Sequence, residues 1–152
     1  MAHFDAEDER FGHQLPEPFR NVVHHNDSWR ESLFFIMHKR NEPGDVLILT
    51  LAHFPAHNEM DSLQLGRVGN SPVMARHART TAADPNNWNV GPVSIDIVEP
   101  KKKIHLLARK SDATPVALDI TFTARTSPYQ LRRGTMKAGN EVVWDQTHMF
   151  QS

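Results

Sequence analysis

Residues 93–110 read "VSIDIVEPKKKIHLLARK", and their alternation decides the fold class. Val93, Ile95 and Ile97 alternate with Ser94 and Asp96, and Ile104, Leu106 and Ala108 take one side of the second half. A period of two is that of a strand with one buried face, so the stretch reads as a β-hairpin. The turn "EPKKK" sits at its tip, where Lys101, Lys102 and Lys103 are expected to be solvated and to protect an edge.

The same pattern extends in both directions. In "PVALDITFTART" (115–126), Val116, Leu118, Ile120 and Phe122 alternate with Ala117, Asp119, Thr121 and Thr123. Upstream, "DVLILTLAHF" (45–54) is apolar on both faces, as a central strand is, and Pro55 closes it. "DSLQLGRV" (61–68) and "PVMARHART" (72–80) flank Gly69-Asn70-Ser71, a hairpin loop. Ser28-Trp29-Arg30-Glu31 has the spacing of a helix capping box. "SLFFIMHK" (32–39), however, is aromatic and branched and soon meets the turn "RNEPGD", so it reads as a strand. "TAADPNNWNVGP" (81–92) is loop chemistry carrying Trp88, "SPYQLRRGTMKAGN" (127–140) a longer connection, and "EVVWDQTHMF" (141–150) a last strand.

The result is an all-β chain of about eight antiparallel strands, a lipocalin-like barrel or a β-sandwich. Residues 1–26 form an irregular lead-in, with two prolines in "QLPEPFRNVVHHND", that wraps over the body; residues 27–152 form one domain. At 152 residues the chain is long enough for a real core.

Composition removes several functions. Seventeen basic against eighteen acidic residues leave a formal charge of −1, which argues against a nucleic-acid partner. Without cysteine there is no disulfide framework, thiol nucleophile or thiolate metal site. No apolar run has the roughly 18 residues of a membrane span. The start "MAHFDAEDERFG" is acidic and polar, unlike a signal peptide, so a cytoplasmic location is expected.

Ten histidines raise the question of a metal. His53 and His57 flank Pro55 at a strand end, and on an extended chain lie ~13 Å apart, too far for one ion. His24 and His25 are adjacent and would point to opposite faces. With no HExxH and no thiolate, neither a metal nor a cofactor is expected. Nor is there a GxSxG elbow, P-loop or GxGxxG.

Asp96 and Asp119 each stand opposite an apolar row. In a barrel with a polar cavity they would be general acid or base groups, with His105 or His148 as partner; in a sandwich they face water. Trp29, Phe35, Trp88 and Trp144 are the aromatic candidates to line or guard an apolar pocket. Trp29 and Trp144 belong to the start of the first strand and to the last strand, which in an up-and-down barrel are neighbours.

Three stretches carry a family resemblance: "NDSWRESLFFIMHK" (26–39), "VSIDIVEPKKKIHLLAR" (93–109) and "VALDITFTARTSPY" (116–129). Together they resemble the N-terminal part of the lipocalin-like superfamily of AttH-like proteins and carotenoid 1,2-hydratases (hydroxyneurosporene synthases), an architecture shared by pericyclases. The resemblance implies a lipocalin-like fold that binds an apolar small molecule of the polyene, terpenoid or polyketide class. Such proteins have two tandem β-domains, so it also implies that this chain corresponds to the first. An enzyme of the hydratase, isomerase or cyclase type, using the Asp and His candidates, is the alternative; a structural dimerisation module is a third. An apolar face left by a missing second domain would be covered by a second copy, giving a homodimer through the last strand and Trp144.

Overall fold

The structure, a computed structural model, describes Phe4 and residues 6–11, 29–41, 44–81, 84–132, 134–146 and 148–152. The side chains of Trp144 and Asp145 lie outside that description, as do the readings placed on residues 12–28, His24 and His25 among them.

The chain is all-β, with no α-helix among the described residues. Four long strands, β1 (Glu31–His38), β2 (Val46–Phe54), β3 (Glu59–Val68) and β4 (Ser71–Thr80), form one antiparallel sheet in chain order. A second antiparallel sheet holds β5 (Asn89–Val90), β6 (Val93–Glu99), β7 (Lys103–Ala108) and β8 (Leu118–Thr123), again in chain order. The remaining strands, β9 (Tyr129–Gln130), β10 (Gly134–Ala138), β11 (Glu141–Gln146) and β12 (Met149–Phe150), make the two-stranded ladders β10–β11 and β9–β12. Among the described residues the ladder does not close into a barrel.

Each main strand follows from its alternation. Leu47, Leu49 and Leu51 pair in register with Met37, Phe35 and Leu33. In the second sheet Val93, Ile95 and Ile97 pair with Ala108, Leu106 and Ile104. These two inner faces meet in one hydrophobic core. Leu49 and Leu51 are wholly buried, each worth about 1.5–3 kcal/mol. The β3–β4 hairpin turns on Gly69 and Asn70, at φ 55° and 67°, the positive pair that a two-residue loop matching the strand twist requires.

Three expectations change. The connection at 127–140 contains β9 and β10, and the last strand is divided into β11 and β12. The shortest of these strands have too few residues to show a period, and β10 has no buried face. The lysine tip is not uniformly solvated. Lys101, at φ 59°, donates its backbone N–H to Glu9 Oε2 at 2.7 Å and its ammonium to the Phe4 carbonyl at 2.8 Å. Its own carbonyl accepts from Gln151 Nε2 at 2.6 Å, so both ends of the chain dock on this turn.

Candidate functional site

The polar end of the core is set by the β1–β2 register. Glu31 stands directly opposite His53 on the inner face, with Glu31 Oε2 3.6 Å from His53 Nδ1. Both side chains are largely buried, and desolvation holds His53 below its ordinary pKa. At 3.6 Å the contact is longer than a hydrogen bond, and a neutral imidazole makes it a polar contact rather than an ion pair.

Phe11 closes this end. Its ring stacks on His53 at 5.9 Å and leans on Trp88 at 5.4 Å. Asn86 fixes the backbone there: Phe11 N–H donates to Asn86 Oδ1 at 2.9 Å, and Asn86 Nδ2 donates back to the Phe11 carbonyl at 3.5 Å. Behind Phe11 the chain forms a short 3-10 turn, Glu7–Glu9, whose buried Glu9 reaches Lys101. Among the described residues, His53 Nδ1 and Trp88 Nε1 are both buried and find no hydrogen-bond partner. Each such stranded atom costs about 1–3 kcal/mol.

From Glu31 the inner face of β1 continues through Leu33, Phe35 and Met37, all partly buried against the core. Across from them stand Leu118 and Phe122 of β8, also partly buried. The Phe35 and Phe122 rings meet edge-on at 6.2 Å. Among the described residues β1 pairs only with β2 and β8 only with β7, so this aromatic contact joins the outer strands of two sheets. The facing sides of β1 and β8 therefore form a partly buried apolar margin of the core, with Glu31 and His53 at one end of the β1 face.

The residues singled out in the sequence divide by face. Phe35 lies on this partly buried margin, and Trp88 lies in the core beside Phe11. Trp29 is half-buried just before β1, while Trp144 pairs through its backbone with Met136 of β10; β1 and β11 are not neighbours. Asp96 pairs with His105, on the outer side of the second sheet. His105 Nε2 lies 2.8 Å from Asp119 Oδ1, and the Asp119 side chain is 79% exposed. The sequence thus named three groups that do gather, but they gather on the outer side of the sheet, away from the core. His148 is exposed, and its carbonyl accepts from Leu131 N–H at 2.9 Å.

Sequence reasoning did not single out Phe11, met Glu31 only in a capping-box spacing and Phe122 only in an apolar row, and weighed His53 only as a metal ligand. Glu31 continues the alternation of Leu33, Phe35 and Met37, which was the available signal for an inward carboxylate. Among the described residues no group of three or more His, Asp or Glu could hold a metal ion. No described helix is long and apolar enough to cross a membrane.

A protein-family model, described as a family of unknown function (DUF8625), matches residues 6–152. No curated protein and no solved structure matches the chain.

Proposed function

The chain belongs to this family of unknown function, so its activity has to be read from its own residues, and we propose that it is a lipocalin-like β-domain that binds a small apolar molecule in a slot between β1 and β8. One observation carries the reading: the apolar inner faces of β1 and β8 are only partly buried, with Phe35 and Phe122 in contact between two strands that are outermost among the described residues. An apolar recess with few polar groups is the usual form of a small-molecule site. Two antiparallel sheets around one core support a sandwich-like arrangement, and the three stretches that carry the AttH-like and carotenoid hydratase resemblance fall on β1, β6–β7 and β8.

Should the domain also catalyse a hydratase- or isomerase-type reaction, the acid–base groups at the slot are Glu31 and His53, because Asp96, His105 and Asp119 face away from it. Titration of the whole protein with farnesene, an acyclic terpenoid hydrocarbon, tests the binding function. Saturable one-to-one binding that Phe35→Asp abolishes is expected. Unsaturable partitioning, or binding indifferent to Phe35→Asp, overturns it.

A second reading, self-association, is favoured by a different surface. Ile36, Ile48, Leu65 and Met74 stand directly opposite one another across β1, β2, β3 and β4, on the outer face of the first sheet. Met74 is 77% and Ile36 61% exposed. Met136, Val142 and Val143 are also exposed on the β10–β11 hairpin. A second copy of the chain is the partner such faces suit. Sedimentation across a concentration series checks it, and an invariant monomer rules it out.

A further inference from the structure

The outer face of the first sheet has a pattern of its own. Ile36, Ile48, Leu65 and Met74 stand directly opposite one another on β1, β2, β3 and β4, a row that crosses the whole sheet. At the spacing of neighbouring strands the row is about 14 Å long. Phe34 lies on one side of it and Val46 on the other, both exposed. Phe34, Ile36, Val46, Leu65 and Met74 together present on the order of 500 Å² of apolar residue surface. That is close to the apolar share of a standard interface, roughly 450 Å² in 800 Å² per partner.

The charges on this face balance. Among the strand residues that share it by alternation, the fixed charges are Glu59 and Asp61 against Arg67 and Arg76. Arg76, on the Phe34 side of the row, donates to Asp61 Oδ2 at 2.7 Å and to Glu59 Oε1 at 2.8 Å. Arg67, on the Val46 side, donates to Asn70 Oδ1 at 2.8 Å. Such a face selects neither a polyanion nor a polycation, and a face of the same apolar content and the same balance suits it. A second copy of the chain is that partner.

The two arginines choose between the two ways of stacking such sheets in line. A two-fold axis along the row would set each strand over its own copy, reversed, and bring Arg76 beside the partner's Arg67, with like charges together. An axis along the strands, between β2 and β3, sets β1 over the partner's β4 and β2 over the partner's β3, an aligned packing of sheets. Arg76 then lies over the partner's Phe34 ring, a cation–π contact.

We infer that the row is the centre of a two-fold interface between copies of this chain, in which Ile36 meets the partner's Met74 and Ile48 meets the partner's Leu65. The pairing rests on self-association of the chain and adds to it the face and the register.

The sequence contains no cysteine, so single thiols can be placed on the row without competition. Ile36→Cys and Met74→Cys are treated with a short bismaleimide, each variant alone and the two mixed in equal amounts. Thermal melts confirm that both fold, and sedimentation equilibrium of the unaltered protein and of each variant runs in parallel. Two copies of Ile36 are offset by the length of the row, about 14 Å, besides the roughly 10 Å between sheets, and so are two copies of Met74. The mixture is therefore expected to cross-link and each variant alone to lose that product.

An unaltered chain that stays monomeric at every concentration overturns self-association and this pairing together. Dimeric variants whose mixture gives no cross-link move the contact to another surface and overturn the pairing while self-association stands. Cross-linking of each variant alone as fast as the mixture keeps the row as the contact and overturns the axis along the strands.

Discussion

His53 Nδ1 lies 3.6 Å from Glu31 Oε2, at directly opposed positions of β1 and β2, and burial nevertheless keeps the imidazole neutral at pH values where a free histidine begins to charge. The lowered pKa fixes a sign for the pH dependence of stability. Below about pH 6.5 the unfolded chain binds a proton at His53 that the folded chain refuses. The folded state therefore loses stability as pH falls from about 6.5 toward the depressed folded value. His53→Gln removes that dependence, so the stability of the unaltered protein minus that of the variant declines over this window. Urea denaturation of both proteins at stepped pH measures it. A difference that stays level from about pH 7.5 to 5 contradicts a neutral buried His53.

Glu9 gives a prediction of opposite direction. Burial raises its carboxyl pKa above 4.5, the Lys101 backbone bond and the Lys101 and Arg10 charges offsetting this only in part. A raised pKa means a contribution that is complete below 4.5 and lost as pH rises through the folded value. Glu9→Gln retains an oxygen to accept from Lys101 N–H and removes the buried charge. Its melting temperature should match that of the unaltered protein in acid and exceed it near neutrality. Glu9→Ala instead strands the Lys101 N–H and should cost about 1–2 kcal/mol. Should Glu9→Gln be the less stable protein near neutrality, the Glu9 charge is a net stabiliser and the prediction is wrong.

Those two residues also mark how far the sequence could be read. The main strands were legible because period two writes itself locally: Val93, Ile95 and Ile97 need no partner to declare a buried face. The Gly69-Asn70 turn was legible because few residues tolerate positive φ. Glu31 with His53 was not, since the pair exists only through the register of β1 on β2. Glu9 with Lys101 was further from reach, the two standing 92 positions apart and the lysine run having no period. Asp96 and Asp119 were read as standing opposite apolar rows, with His105 or His148 as partner, but alternation says which residues share a face and never which face lines the interior. Phe35 was named as an aromatic without its counterpart, because Phe122 lies on another sheet.

Gly66 shows the β2–β3 ladder at its tightest. A Cβ on this residue, at φ 154°, would lie 2.1 Å from the Val46 carbonyl oxygen and 3.0 Å from Leu47 Cα, both backbone atoms. Neither can rotate away, so Gly66→Ala must force the strands apart. A loss of about 2–3 kcal/mol is expected. Gly139, at φ 63° with open space around it, carries only the left-handed backbone penalty, so Gly139→Ala should cost about 1–2 kcal/mol. Denaturant midpoints of the two variants rank them, and a Gly66→Ala midpoint at or above that of Gly139→Ala contradicts the close approach.

The exposed row on the first sheet can be separated from the core by its response to charge. Met74, at the β4 end of the row formed with Ile36, Ile48 and Leu65, is 77% exposed. A glutamate there meets water rather than packed side chains, so Met74→Glu should change the stability of a single chain by no more than about 0.5 kcal/mol. Leu51, on the inner face and wholly buried, is the contrast: Leu51→Ala should cost about 2–5 kcal/mol through the lost contacts and the space left behind. If the row is covered by a second copy, Met74→Glu also buries an unpaired carboxylate at that contact and weakens self-association by tenfold or more, about 1.4 kcal/mol. Sedimentation equilibrium of the two variants beside the unaltered protein reads both effects. Weakened association by Met74→Glu with unchanged unfolding assigns the row to an interface between copies. Unchanged association with unchanged unfolding leaves it a solvent-facing surface of the sheet, and a large loss of stability would mean that the side chain is covered within the chain itself.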